Sequence, residues 1–92
     1  MSKNPLDLVT KKFTMEEMVE ALRLAIIAEL DAINLYRQFA RSIDDEKIKK
    51  VFEDIAKEEK THVGEFLALL KMLDPEQVKE LEAGEKEVKE LT

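Results

Sequence analysis

Apolar residues recur along the first half of the chain at Met18, Leu22, Ile26, Ile33, Tyr36 and Ala40, in steps of three, four or seven. That spacing lines one face of an α-helix. Thr14-Met15-Glu16-Glu17 fits a capping box, in which a hydroxyl and a carboxylate satisfy the first free backbone amides. No Gly or Pro interrupts the pattern before Ser42, so a long first helix is predicted. Asp44-Asp45-Glu46 reads as a short connection with a new N-cap. A second stripe follows at Ile48, Phe52, Ile55, Glu59, His62, Phe66, Leu69 and Leu73, and stops at Asp74-Pro75. Proline cannot continue a helix but suits the first position of a new one. Asp74 and Gln77 then cap a short third helix, which is expected to weaken at Gly84. Residues 84–92 read as a charged tail or linker. Residues 1–13 have no sustained period and contain Asn4-Pro5, so they read as an irregular leader.

The expected fold is therefore all-α: an antiparallel two-helix hairpin plus a short C-terminal helix, within residues 14–83. A two-helix hairpin encloses no interior, and isolated helical pairs are marginal in water. The third helix looks too polar to dry the remaining stripe. Packing alone thus calls for a second copy, giving a four-helix bundle.

Three polar residues stand where the pattern asks for apolar ones. Glu29 interrupts the first stripe, and Glu59 and His62 interrupt the second. An unpaired carboxylate on a buried stripe costs several kcal/mol unless it is paired or binds a metal. Glu29 lies about fifteen residues before the turn and Glu59 about fifteen after it, so both sit roughly 22 Å from the hairpin tip. His62 is one turn further along the same face. Each hairpin would then present a Glu from one helix and a Glu-x-x-His from the other at one depth. The competing readings are a hydrogen-bonded core histidine, and ion pairs from Lys57, Lys60 or Arg41. Against those stands the absence of any Lys or Arg on either stripe at that height. Tyr36 is a candidate hydrogen-bond partner for a ligand carboxylate, or a packing aromatic. Asp31 and Glu58 lie off the stripe, as an acidic access path or a solvated face. Glu65 lies one turn beyond His62.

Composition narrows the chemistry. Hydrophobic residues make up 45% and charged residues 39% of 92, with two Gly and two Pro, which suits helices with narrow apolar faces. There is no Cys, so thiolate metal sites and disulfides are excluded. The formal net charge is −6 with the bases interspersed among acids, which disfavours nucleic acid. No apolar run is long enough to cross a bilayer, and no basic-then-apolar leader signals secretion. Carboxylates with one imidazole suit iron: in di-iron four-helix bundles a Glu comes from each of two helices and a Glu-x-x-His from each of the others. This chain encodes half of that set. Two copies would supply it whole, which is the dimer that packing already required.

With those residues in place, the chain resembles the encapsulated ferritins, ferritin-like proteins housed in encapsulin nanocompartments. The stretches that carry the resemblance are Ile27-Ala28-Glu29-Leu30-Asp31-Ala32-Ile33-Asn34-Leu35-Tyr36 and Glu58-Glu59-Lys60-Thr61-His62, and it extends from about Thr14 to Leu91. The archaeal form, in which the domain is the N-terminal part of the shell protein, looks nearest. The resemblance implies a ferroxidase site of Glu29, Glu59 and His62 at a dimer interface, with iron as its metal. It further implies a ring of dimers, a decamer in familiar members, inside a cytoplasmic encapsulin shell, fused or separate, that stores the mineral. Bacterial members carry a second acid at Ala28 and a Trp at Leu35, so the family's metal-access site, which includes the position of Asp31, is half matched. The alternative is a non-catalytic helical oligomerisation module with a structural metal such as zinc or manganese. A rubrerythrin-like peroxidase is disfavoured by the missing cysteines of its rubredoxin site.

Overall fold

A computed structural model describes residues 12–92. They form α1 (Met15–Ser42), α2 (Glu46–Leu73) and α3 (Pro75–Leu91). The leader expected over residues 1–13 falls mostly outside the described residues; Lys12 to Thr14 are non-helical.

Each helix starts where its capping residues place it. The Thr14 hydroxyl accepts from the Glu17 amide at 3.1 Å, and the Glu17 carboxylate accepts from the Thr14 amide at 3.0 Å, closing the capping box. Asp45 accepts from the amides of Lys47 and Ile48 at 2.9 and 3.1 Å. Asp74 accepts from Gln77 at 3.1 Å, with Pro75 opening α3. Each such cap contributes about 1 kcal/mol.

α1 and α2 are both 28 residues long, about 42 Å each, and pair as an antiparallel hairpin. Their seam buries Ile33 and Ala40 from one side and Ala56 and Leu70 from the other. Ala56, Val63 and Leu70 repeat every seven residues and define the side of α2 that meets α1. The row Ile48, Ile55, His62, Leu69 lies one residue, about 100° of helical rotation, away from it. It points out of the seam onto one face of the hairpin, leaving Ile48 and Leu69 exposed. Near the tip of that face, Phe52 packs against Tyr36 and edge-on against Phe39, with ring centroids 5.9 and 5.8 Å apart.

The third helix does not weaken at Gly84 as expected. α3 runs through Gly84 to Leu91, so the charged residues 84–91 are helical rather than a linker. Glycine in a helix interior costs about 1 kcal/mol relative to alanine. Here the flanking Glu and Lys residues are strong helix formers, Glu85 pairs with Lys89 at 3.4 Å, and the Thr92 hydroxyl and amide both donate to the Val88 carbonyl. α3 touches the end of α2. A further tie holds its root, where Arg23 of α1 donates to Asp74 at 2.9 Å. The molecule measures 53 × 49 × 16 Å, so α3 lies close to the plane of the hairpin and covers neither face. Among the described residues no helix is long and apolar enough to cross a membrane.

Candidate metal centre

The matched helix lengths bring Glu29 on α1 level with Glu59 and His62 on α2. One ligand atom from each lies within 4.8 Å of the others, and this is the one such group of three among the described residues. His62 Nδ1 stands 3.3 Å from Glu59 Oε2, one helical turn away, and 3.6 Å from Glu29 Oε2 across the seam. The nitrogen facing both carboxylates is therefore Nδ1. With its proton on Nε2, the ring turns a lone pair towards the space between the two acids.

The ion pairs considered for Lys57, Lys60 and Arg41 do not form among the described residues, where the Lys or Arg pairs are Arg23–Asp74 and Lys89–Glu85. Instead Glu29 Oε2 is buried with no hydrogen-bond partner. A buried carboxylate oxygen with no donor is costly, and a bound cation removes that cost. Two hard oxygen donors and one imidazole fit a borderline to hard divalent metal such as iron. Three protein ligands leave such an ion short of six-coordination.

The side of the centre that is not closed by α1 and α2 opens onto the face bearing His62, whose side chain is 44% exposed. A cavity of about 430 Å³ there is lined by Glu29, His62, Glu65, Phe66 and Leu69. Phe66 and Leu69 are shared with an apolar groove of about 470 Å³, walled further by Met18, Ala21, Ala25 and Met72. Metal site and groove thus form one continuous open face. Tyr36 lies half-buried against Phe52 on the tip side, without a hydrogen bond to Glu29 among the described contacts. Asp31 and Glu58 are exposed and outside the group of three. Glu65, by contrast, is on the cavity wall. Its position one turn beyond His62 is the signal for that placement.

The Rubrerythrin family model matches residues 20–92. A solved structure, the encapsulated ferritin domain from Pyrococcus furiosus, matches over 100% of this chain and 95% of that one, with a TM-score of 0.89 and 62% identity. This chain belongs to the encapsulated ferritins. Among curated relatives of this family, the ferritin-like-encapsulin shell fusion protein of Pyrococcus furiosus is 66% identical over 82 residues, which are 89% of this chain and 24% of that protein. The encapsulin nanocompartment cargo protein EncC of Myxococcus xanthus is 43% identical over 70 residues, 76% of this chain and 54% of that one. The chain thus spans about a quarter and about half of their lengths.

Proposed function

We propose that this encapsulated ferritin is a ferroxidase, oxidising Fe(II) to Fe(III) at a di-iron site formed between two copies of the chain, for iron storage inside an encapsulin compartment. The observation that carries the reading is the incomplete centre on an open apolar face. Glu29, Glu59 and His62 converge, the Glu29 oxygen lacks a donor, and the surrounding face is uncovered. A second copy placed on that face would double the ligands to four Glu and two His, the donor set of ferritin-like di-iron bundles.

Fe(II) is the substrate. Carboxylates of Glu29 and Glu59 would balance the charge of two ferrous ions and can bridge them, while His62 fixes orientation as a neutral ligand through Nδ1. Each ferrous ion gives up one electron, and a pair delivers two together to an oxidant of the dioxygen or peroxide class. The apolar walls from Phe66, Leu69 and the partner's face would keep bulk water from the pair. Residence in an encapsulin compartment rests on the similarity to an encapsulin shell fusion and an encapsulin cargo protein.

The test is aerobic addition of ferrous salt with ferric absorbance followed in time, wild type against Glu59→Ala. Equal rates would remove the ferroxidase reading and leave an oligomerisation module with a structural metal.

A further inference from the structure

His62 is the single histidine of the chain, and its placement accounts for only one of its two ring nitrogens. Nδ1 faces Glu59 Oε2 at 3.3 Å and Glu29 Oε2 at 3.6 Å. A neutral ring that offers its Nδ1 lone pair to a cation carries its proton on Nε2, across the ring. That N–H points away from both acids. Among the described residues Nε2 has no hydrogen-bond partner. The His62 side chain lines the cavity of about 430 Å³ beside the centre, so its far edge is presented to that space.

A metal-ligating imidazole is held by donating its other N–H to an acceptor, commonly a carboxylate. The cavity walls are narrow in what they offer. Phe66 and Leu69 are apolar, and Glu29 belongs to the ligand group, which leaves the carboxylate of Glu65. Glu65 follows His62 by three residues, as His62 follows Glu59. Helical side chains lean back over the preceding turn, so Glu65 leans over the ring as the ring leans over Glu59. Neighbours at that spacing have Cβ atoms about 5–6 Å apart, within the reach of a glutamate. Glu65 forms no ion pair among the described residues and is exposed in the single hairpin, where water competes for its oxygens. Covering the face removes that water and strengthens a bond made within the cavity.

We propose that Glu65 is a positioning residue of the centre, its carboxylate accepting from Nε2–H of His62 once the face is covered. This bond fixes the tautomer that turns Nδ1 to the metal, holds the ring's orientation, and makes the imidazole a stronger donor. Glu65 acts through His62 and does not itself touch the ions. The inference rests on the metal reading above and assigns a task to the one carboxylate of the cavity wall that the ligand set does not use.

The test uses the whole chain with zinc as a redox-inert probe, and one histidine makes its ring signals unambiguous. In the zinc-loaded, ¹⁵N-histidine-labelled protein, NMR should show zinc on Nδ1 and a slowly exchanging, downfield Nε2 proton. In Glu65→Leu that proton should move upfield and exchange rapidly, and zinc affinity should fall by about 10-fold or more. Glu65→Gln keeps an accepting oxygen, so it should retain the slow proton and bind zinc with intermediate affinity. Circular dichroism of each variant checks that the helices are intact. Zinc on Nε2, or a ring proton and affinity unchanged in Glu65→Leu, would overturn the assignment. So would a Gln variant that loses as much affinity as the Leu variant while the proton stays unchanged in both, since Glu65 would then act by charge alone. Glu29→Ala separates the two readings. If zinc affinity does not respond to it, the metal centre itself fails; if it responds and Glu65→Leu does not, only the role of Glu65 fails.

Discussion

His62 Nδ1 and Glu29 Oε2 stand 3.6 Å apart across the seam between α1 and α2, just beyond hydrogen-bond length. Glu59 Oε2 approaches the same nitrogen from within α2 at 3.3 Å. Two acids are thus gathered round one imidazole, and no Lys or Arg pairs with them among the described residues. At about 4–5 Å and an effective dielectric near 20, two like charges repel by about 3–4 kcal/mol. A bound dication, as proposed for this centre, would reverse the sign of that interaction.

Substituting Glu29 should therefore act oppositely with and without metal. In chelator, Glu29→Gln relieves the repulsion and is expected to raise stability by about 1 kcal/mol after solvent screening. With zinc or anaerobic ferrous iron present, the same variant should be the less stable protein, because it loses a charged ligand. Urea unfolding followed by circular dichroism checks both arms. The same sign of change in both would separate Glu29 from metal binding.

Oxidation kinetics give a second expectation. Substituting groups that merely support a metal ligand costs 10–100-fold in affinity or activity, so removing a ligand should cost about 100-fold or more. Glu29→Ala, Glu59→Ala and His62→Ala are each expected to lower the ferric absorbance rate by that factor. Tyr36→Phe should leave the rate within about threefold, since among the described residues the Tyr36 hydroxyl makes no hydrogen bond to Glu29 and its ring packs on Phe52. A large loss in Tyr36→Phe would mean that the hydroxyl reaches the site in the paired state.

Most of this site was legible in the sequence, because three polar residues break two otherwise regular stripes and a hairpin of equal arms fixes their height. The caps at Thr14, Asp45 and Asp74 were legible for the same local reason: a side-chain oxygen two or three residues before a free amide. What the stripes left open was the division between seam and outer face. Ile48, Ile55, His62 and Leu69 share a period with the seam residues but lie about 100° from them, on the open face of the hairpin. The length of α3 was concealed as well. Gly84 and dense charge suggest a tail, whereas alternating Glu and Lys with good helix propensity carry the helix to Leu91.

Metal should also stabilise by linkage. A ligand at 100 times its dissociation constant adds about 2.7 kcal/mol to a protein that binds it only when folded. As the proposed centre draws its ligands from two copies, zinc should raise the thermal midpoint and the assembly mass together. In His62→Ala both shifts should shrink in step. A midpoint that rises without any change in mass would place the ion within a single hairpin.

The smallness of the seam core leads to the last prediction. Among the described residues only Ile33, Ala40, Ala56 and Leu70 count as buried apolar residues, so each carries an unusual share of the hairpin's stability. Leu70 is 3% exposed, and its carbonyl also accepts from the Asp74 amide at 2.9 Å, at the joint where α3 begins. Leu70→Ala removes three buried carbon atoms and leaves a cavity, at a cost of about 2–5 kcal/mol. Arg23→Ala removes an ion pair whose arginine is half exposed, at a cost of about 0.2–1 kcal/mol. Asp74→Ala should fall between them, since it deletes that pair and the α3 cap together, about 1–2 kcal/mol. Urea unfolding of the zinc-loaded protein at one fixed concentration gives the order Leu70→Ala, Asp74→Ala, Arg23→Ala. If Arg23→Ala proved as damaging as Leu70→Ala, the open end of the hairpin would be held by charge rather than by its seam.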